Sequence, residues 1–132
     1  MSHVAKYTTT IKNPHLNLVV SALELAAEDL KGKVAVKSKV FDYIGKNGKM
    51  CDYVLTTDRL CYGVGINVGE TLSFEGDGYV EGWHNAQNRI IQHYGVLATR
   101  AAAASKGFTF IESVEVDRPN KQKAIRIELE VA

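Results

Sequence analysis

The chain of 132 residues has two cysteines, two prolines, one tryptophan and almost no net charge. Cys51 and Cys61 lack C-x-x-C spacing and fall in strand-like stretches. They read as reduced core residues rather than as a disulfide or metal ligands. No covalent or metal staple is needed, because a chain of this length buries roughly two-thirds of its unfolded surface. Residues 1–132 are accordingly read as a single domain. Sixteen basic residues against fifteen acidic ones leave a formal charge of +1, which argues against general nucleic-acid binding but permits a local basic patch. No apolar run approaches the ~20 residues of a membrane span, and the opening MSHVAKYTTTIKN is too polar for a secretory signal. The expectation is a cytoplasmic protein that does not engage membranes.

Other absences concern chemistry. His3, His15, His84 and His93 contain no i, i+4 pair and no H-E-x-x-H, so no metal site is expected. The glycines at 63, 65 and 69 lie within or between strands and open no helix, which rules against a dinucleotide fingerprint. A glycine inside a strand marks a bulge or a close approach, and a bulge is the expectation here. Gly76-Asp77-Gly78 through Gly82 does precede a helix, but Glu75, Asp77 and Glu81 surround that point and would repel a phosphate. There is no G-x-S-x-G elbow, no catalytic residue and no cofactor is assigned, and the chain leans away from being an enzyme.

What is present is one long helical pattern between Gly76 and Phe108, closed by Gly107. At 100° per residue Trp83, Ala86, Ile90, Tyr94, Leu97, Ala101 and Ala104 share one face. Asn85, Arg89, Gln92, His93 and Arg100 share the opposite one. The apolar face is expected to lie on a sheet. Alanines 101–104 let another element approach closely. Leu16, Val19, Leu23, Ala26, Ala27 and Leu30 mark an earlier helix, with Asn13 as its N-cap, Pro14 at its first position and Gly32 as its stop. Its acidic end (Glu24, Glu28, Asp29) looks structural.

Alternating segments give strands at 3–11, 34–41, 50–56, 60–68, 72–74, 108–116 and 123–131, with turns at Gly45–Lys49, Thr57–Arg59 and Asp117–Asn120. The fold class is therefore α+β: a mostly antiparallel sheet of five to seven strands with two helices on one face. The order is β-α-β-β-β-β-α-β-β, similar to a ferredoxin-like unit with extra strands.

The Met1-Ser2-His3 opening, Trp83 at the head of the long helix, the Tyr94 region, and Gly107-Phe108 followed by Glu112 resemble a family of small uncharacterised proteins. Its members occur in algal plastid genomes, in cyanobacteria and other bacteria, and in tailed phages. The resemblance implies an α+β fold and a bacterial or phage-infected host cell. Because some of the family's genes sit near those of hexameric ATPases, it also implies a possible ATPase partner. The family carries no established catalytic residues.

The functional expectation is a non-catalytic homo-oligomer holding a small anionic or nucleotide-like ligand between subunits, which in a viral setting would be a sequestered host nucleotide signal. Its site would be Arg89, His93 and Arg100 with Asn85 and Gln92 beside them and Tyr79 and Trp83 as aromatic neighbours. One alternative is a protein–protein adaptor. Another is a phosphodiesterase-type enzyme using His93 or His84 as general base.

Overall fold

Trp83 is the largest fully buried side chain, 1% exposed, and the elements around it follow from how it is seated. The computed structural model describes residues 4–105, 108–114 and 125–131, with side chains placed over 4–105. The opening Met1-Ser2-His3, the Gly107 stop and the turn at Asp117-Arg118-Pro119-Asn120 lie outside the described residues. The side-chain alternation expected of the last strand does too.

The elements run β1 (Ala5–Lys12), α1 (Leu16–Leu30), β2 (Lys33–Val40), β3 (Lys49–Thr56), β4 (Val64–Val68), β5 (Thr71–Gly76), α2 (Trp83–Ser105), β6 (Phe108–Val114) and β7 (Ile125–Val131). This is the β-α-β-β-β-β-α-β-β order of an α+β protein. By its contacts the chain divides into two compact units, Met1–Tyr94 and Gly95–Ala132. None of the described helices is long and apolar enough to cross a membrane.

In the first unit five strands form an antiparallel sheet in the order β1-β5-β4-β3-β2. Short turns make β2 to β5 a meander, and α1 carries the chain from β1 at one edge to β2 at the other. Register sorts the residues into faces, because partners directly opposite in an antiparallel pair project the same way. Val34, Leu55 and Val64 form one rung; Val36, Tyr53, Ile66, Phe74 and Tyr7 form the next. Leu55, Val64, Ile66 and Phe74 are fully buried, as are Val19, Ala22, Leu23 and Ala26 of α1 and Trp83, Ala86 and Ile90 of α2. Each such Leu, Ile or Phe contributes about 1.5–3 kcal/mol by leaving water.

The reverse face carries the rung Ala35, Val54, Gly65, Glu75 and Lys6. Gly65 has no bulge: it stays in register, and a Cβ there would run into Cys51 Sγ and lie 3.0 Å from the Glu75 carbonyl oxygen. Close packing, not irregularity, requires that glycine. Cys51 is a core residue as expected, packed with Val40 and Val54. Cys61 is not; it is exposed in the turn before β4, which begins at Val64 rather than Leu60.

The helix ends differ from the capping read in the sequence. Asn13 adopts a left-handed conformation (φ 50°) and donates its amide to the Glu70 carbonyl, leaving His15 as the N-cap. The His15 amide donates to Tyr94 Oη at 3.1 Å, tying the start of α1 to α2. At the other end Lys31, not Gly32, takes the left-handed position (φ 56°), while the Gly32 amide reaches back to the Ala27 carbonyl.

In the second unit, residues 95–105 complete α2, and β6 pairs antiparallel with β7. Val96 and Ala103 are buried there, whereas Ala101 and Ala104 are exposed. The apolar face read from the wheel thus holds from Trp83 to Tyr94 and is not the covered one beyond it.

Two glycines shape the socket of Trp83. Its Nε1 donates to the Gly63 carbonyl at 3.2 Å, and a Cβ at Gly76 (φ 156°) would lie 2.8 Å from Cε2. Tyr7 tilts against the indole at 4.9 Å between centroids, and His84 packs edge-on at 4.9 Å. Gly76→Ala is expected to cost about 1–3 kcal/mol by overpacking this socket. Thr8→Ala, an exposed change, stays within about 0.5 kcal/mol of wild type. Equilibrium urea unfolding measures both, and equal midpoints for the two variants would contradict the socket.

Candidate functional site

Two places on the first unit bear on function: a clasp between the helices, and a cleft where α1, the β3–β4 turn and the start of α2 meet. The clasp holds two of the residues singled out in the sequence. His93 Nε2 lies 2.6 Å from Asp29 Oδ2, and Arg89 Nη1 lies 3.4 Å from the same oxygen. Burial pushes the Asp29 carboxyl up, but the hydrogen bond and charge of His93, then of Arg89, outweigh it. The net effect holds the carboxyl below its ordinary value. Arg89 and His93 do stand together, but on a carboxylate from α1, which neutralises the charge an anionic ligand would need.

The remaining candidates are dispersed. Trp83 is buried as the helix anchor, with no face open for stacking. Tyr79 is 72% exposed in the turn after β5, its amide donating to Asp77 Oδ1. Gln92 is exposed on α2. Arg100 is exposed and belongs to the second unit. His84 lies on the first turn of α2, its Nδ1 3.0 Å from Gln87 Oε1, with no carboxylate partner among the described residues.

Asn85 lines a cavity. The cleft has a volume of ≈ 410 Å³; Lys31 and Arg59 reach it from the α1 and β3–β4 ends, Gly82 from just before α2 and Asn85 from its first turn. Asp58 and Glu81 also line it, so its formal charges balance. None of Lys31, Asp58, Arg59 or Glu81 forms an ion pair among the described residues. An adjoining hollow of ≈ 280 Å³ shares Lys31 and Asp58 and adds Lys33 and Cys61.

The acidic collar expected around the start of α2 is largely directed elsewhere. Asp77 is buried, its Oδ2 accepting the Tyr43 amide at 3.0 Å and its Oδ1 the Tyr79 amide. Glu75 accepts from Asn67 Nδ2 at 2.8 Å and faces Lys49 Nζ at 3.7 Å. Asp42, also buried, accepts from the Ile44 and Lys46 amides and from Asn47 Nδ2, which fixes the loop before β3. Only Glu81 of the collar reaches the cleft. Lys31 and Arg59 escaped notice in the sequence because one reads as a helix end and the other as a turn residue. The sole signal was a basic residue beside each break.

Beside Glu75, the Cys51 thiol is pushed up to about 11, first by burial and then by the Glu75 charge. The described residues contain no cluster of His, Cys, Asp and Glu able to hold a metal ion. The chain matches no protein-family model, no curated protein and no solved structure.

Two outcomes follow. Because the folded Asp29 carboxyl titrates below its ordinary 3.8, the clasp stabilises the fold fully above that value and is lost as pH falls through the depressed one. A double-mutant cycle of Asp29→Ala and His93→Ala is expected to give about 0.5–1 kcal/mol of coupling near pH 6. That coupling is lost once the pH falls below the depressed Asp29 value; a coupling of undiminished size in strong acid contradicts the clasp. Near pH 8 a thiol-specific reagent should label Cys61 and spare Cys51 until the protein unfolds, as mass spectrometry of the peptides would read. Equal labelling would show that Cys51 is not enclosed.

Proposed function

We propose that the protein is a non-catalytic, homo-oligomeric binding protein for a small nucleotide-like anion, and that its ligand sits in the cleft at the start of α2. The observation that carries this reading is the cleft itself. A volume of ≈ 410 Å³ falls within the usual range of small-molecule sites, and two cations with no ion-pair partner among the described residues line it. The first turn of α2 adds the partial positive charge of a helix N-terminus, and an arginine fork suits a phosphate. Asn85 supplies an amide able to read a base or ribose edge. Glu81 and Asp58 disfavour a bare, highly charged anion and favour a ligand that also offers donors, such as ribose hydroxyls.

Binding rather than turnover is the better reading, because the buried carboxylates of Asp42, Asp77 and Glu75 are committed to hydrogen bonds within the fold. His93 is committed to Asp29 in the same way. In this account Arg89 and His93 position α2 and do not touch ligand.

Isothermal titration with ADP, AMP and inorganic phosphate tests the assignment. At least one nucleotide should bind, Arg59→Ala and Lys31→Ala should each weaken it about tenfold, and Arg89→Ala should leave affinity within about twofold. Failure of every nucleotide to bind, or loss of binding with Arg89→Ala but not Arg59→Ala, would overturn it.

A further inference from the structure

We propose that the ligand of the cleft is a nucleoside diphosphate, whose outer phosphate enters the adjoining hollow and is held there by Lys31 and Lys33. This rests on the cleft assignment above and names the chemical class that fills it.

The cleft and the hollow meet because α1 ends hard against the β3–β4 turn. A Cβ at Gly32 would run into the Thr56 carbonyl oxygen and lie 2.8 Å from Thr57 Cγ2, so a glycine is needed for the chain to pass from α1 into β2 this close to the end of β3. The turn is fixed from its own side. Thr57 Oγ1 accepts the Leu60 amide at 3.0 Å, and the Leu60 carbonyl accepts the Gly63 amide at 3.1 Å. Lys31, Thr57 and Asp58 consequently border both spaces, the cleft of ≈ 410 Å³ and the hollow of ≈ 280 Å³. Lys31 stands there in a left-handed conformation (φ 56°), a position that glycine or asparagine usually fills. Backbone held outside its ordinary range recurs at ligand clamps.

Charge and polarity then orient the ligand. Leu30, Leu60 and Asn85 line the cleft and not the hollow, which gives a base apolar contact and an amide partner. In the cleft Lys31 and Arg59 are balanced by Asp58 and Glu81. The hollow lacks Glu81 and gains Lys33, so its two lysines meet one carboxylate, that of Asp58. Lys33 forms no ion pair among the described residues, although Glu24 and Glu28 share another hollow with it. A first phosphate lies beside Arg59 and Lys31, and a second finds its complement in the hollow, away from Glu81. A third would meet no further cation there. A monophosphate leaves Lys33 unused, and inorganic phosphate leaves the apolar lining of the cleft uncovered.

Isothermal titration with AMP, ADP and ATP tests the proposal, together with alkylation of Cys61, an exposed thiol that lines the hollow. Wild type should bind ADP about tenfold more tightly than AMP, and ATP no more tightly than ADP. Lys33→Ala, a change at an exposed position, should remove most of that advantage and leave AMP affinity within about twofold, with circular dichroism verifying the fold. ADP at about ten times its dissociation constant should slow N-ethylmaleimide labelling of Cys61 about tenfold, and AMP at the same multiple should not. ADP that binds no better than AMP, ATP that binds better than ADP, an advantage that survives Lys33→Ala, or Cys61 labelling indifferent to ADP overturns the proposal. In each of these cases AMP binding that still requires Arg59 leaves the cleft assignment standing, whereas failure of every nucleotide to bind removes both.

Discussion

The hydrogen bond from the Trp83 indole to the Gly63 carbonyl fixes where the second helix begins, and much else in the first unit follows from it. A bulky ring enters the sheet only where side chains are missing, and Gly76 at the end of β5 provides that room. The socket is lined on its remaining sides by Tyr7 and His84. With Trp83 seated, Ala86 and Ile90 fall onto the sheet and Tyr94 reaches the start of α1 through its hydroxyl. The first turn of α2 is thereby held against the β3–β4 turn, and the cleft is the space left between them.

This arrangement separates two roles that one helix face had seemed to combine. Arg89 and His93, a turn or more beyond Trp83, are used up by Asp29 in joining the helices. Asn85, half a turn beyond it, stays at the cleft with Lys31 and Arg59. Cations that hold a fold together are poor candidates for holding a ligand, since a ligand would have to compete with a carboxylate already in contact. Basic residues without such a partner carry no such cost.

How much of this was legible in the sequence depended on whether the cause was local. Element order, the α1 stripe and the Trp83–Tyr94 stripe were readable, because alternation and helical period report burial directly. The β1-β5-β4-β3-β2 order was not, since nothing local says that β1 joins β5 while α1 crosses to the far edge. Asn13-Pro14 looked like a cap, but pairing of Asn13 with Glu70 overrode the local preference. The pairing of Asp29 with His93 joins residues 64 positions apart and has no signature in either helix alone. Arg59 was hidden for the opposite reason. A turn of Thr, Asp and Arg is ordinary, and its meaning comes only from the helix start that packs opposite.

The indole N–H of the only tryptophan offers the most direct test of the socket on which the account rests. In a ¹H–¹⁵N spectrum recorded after transfer to heavy water, the account predicts that the Trp83 indole resonance persists as long as the slowest backbone amides, because its hydrogen bond opens only with the fold. Loss of that resonance within the dead time, while the backbone amides of the sheet remain protected, would contradict it.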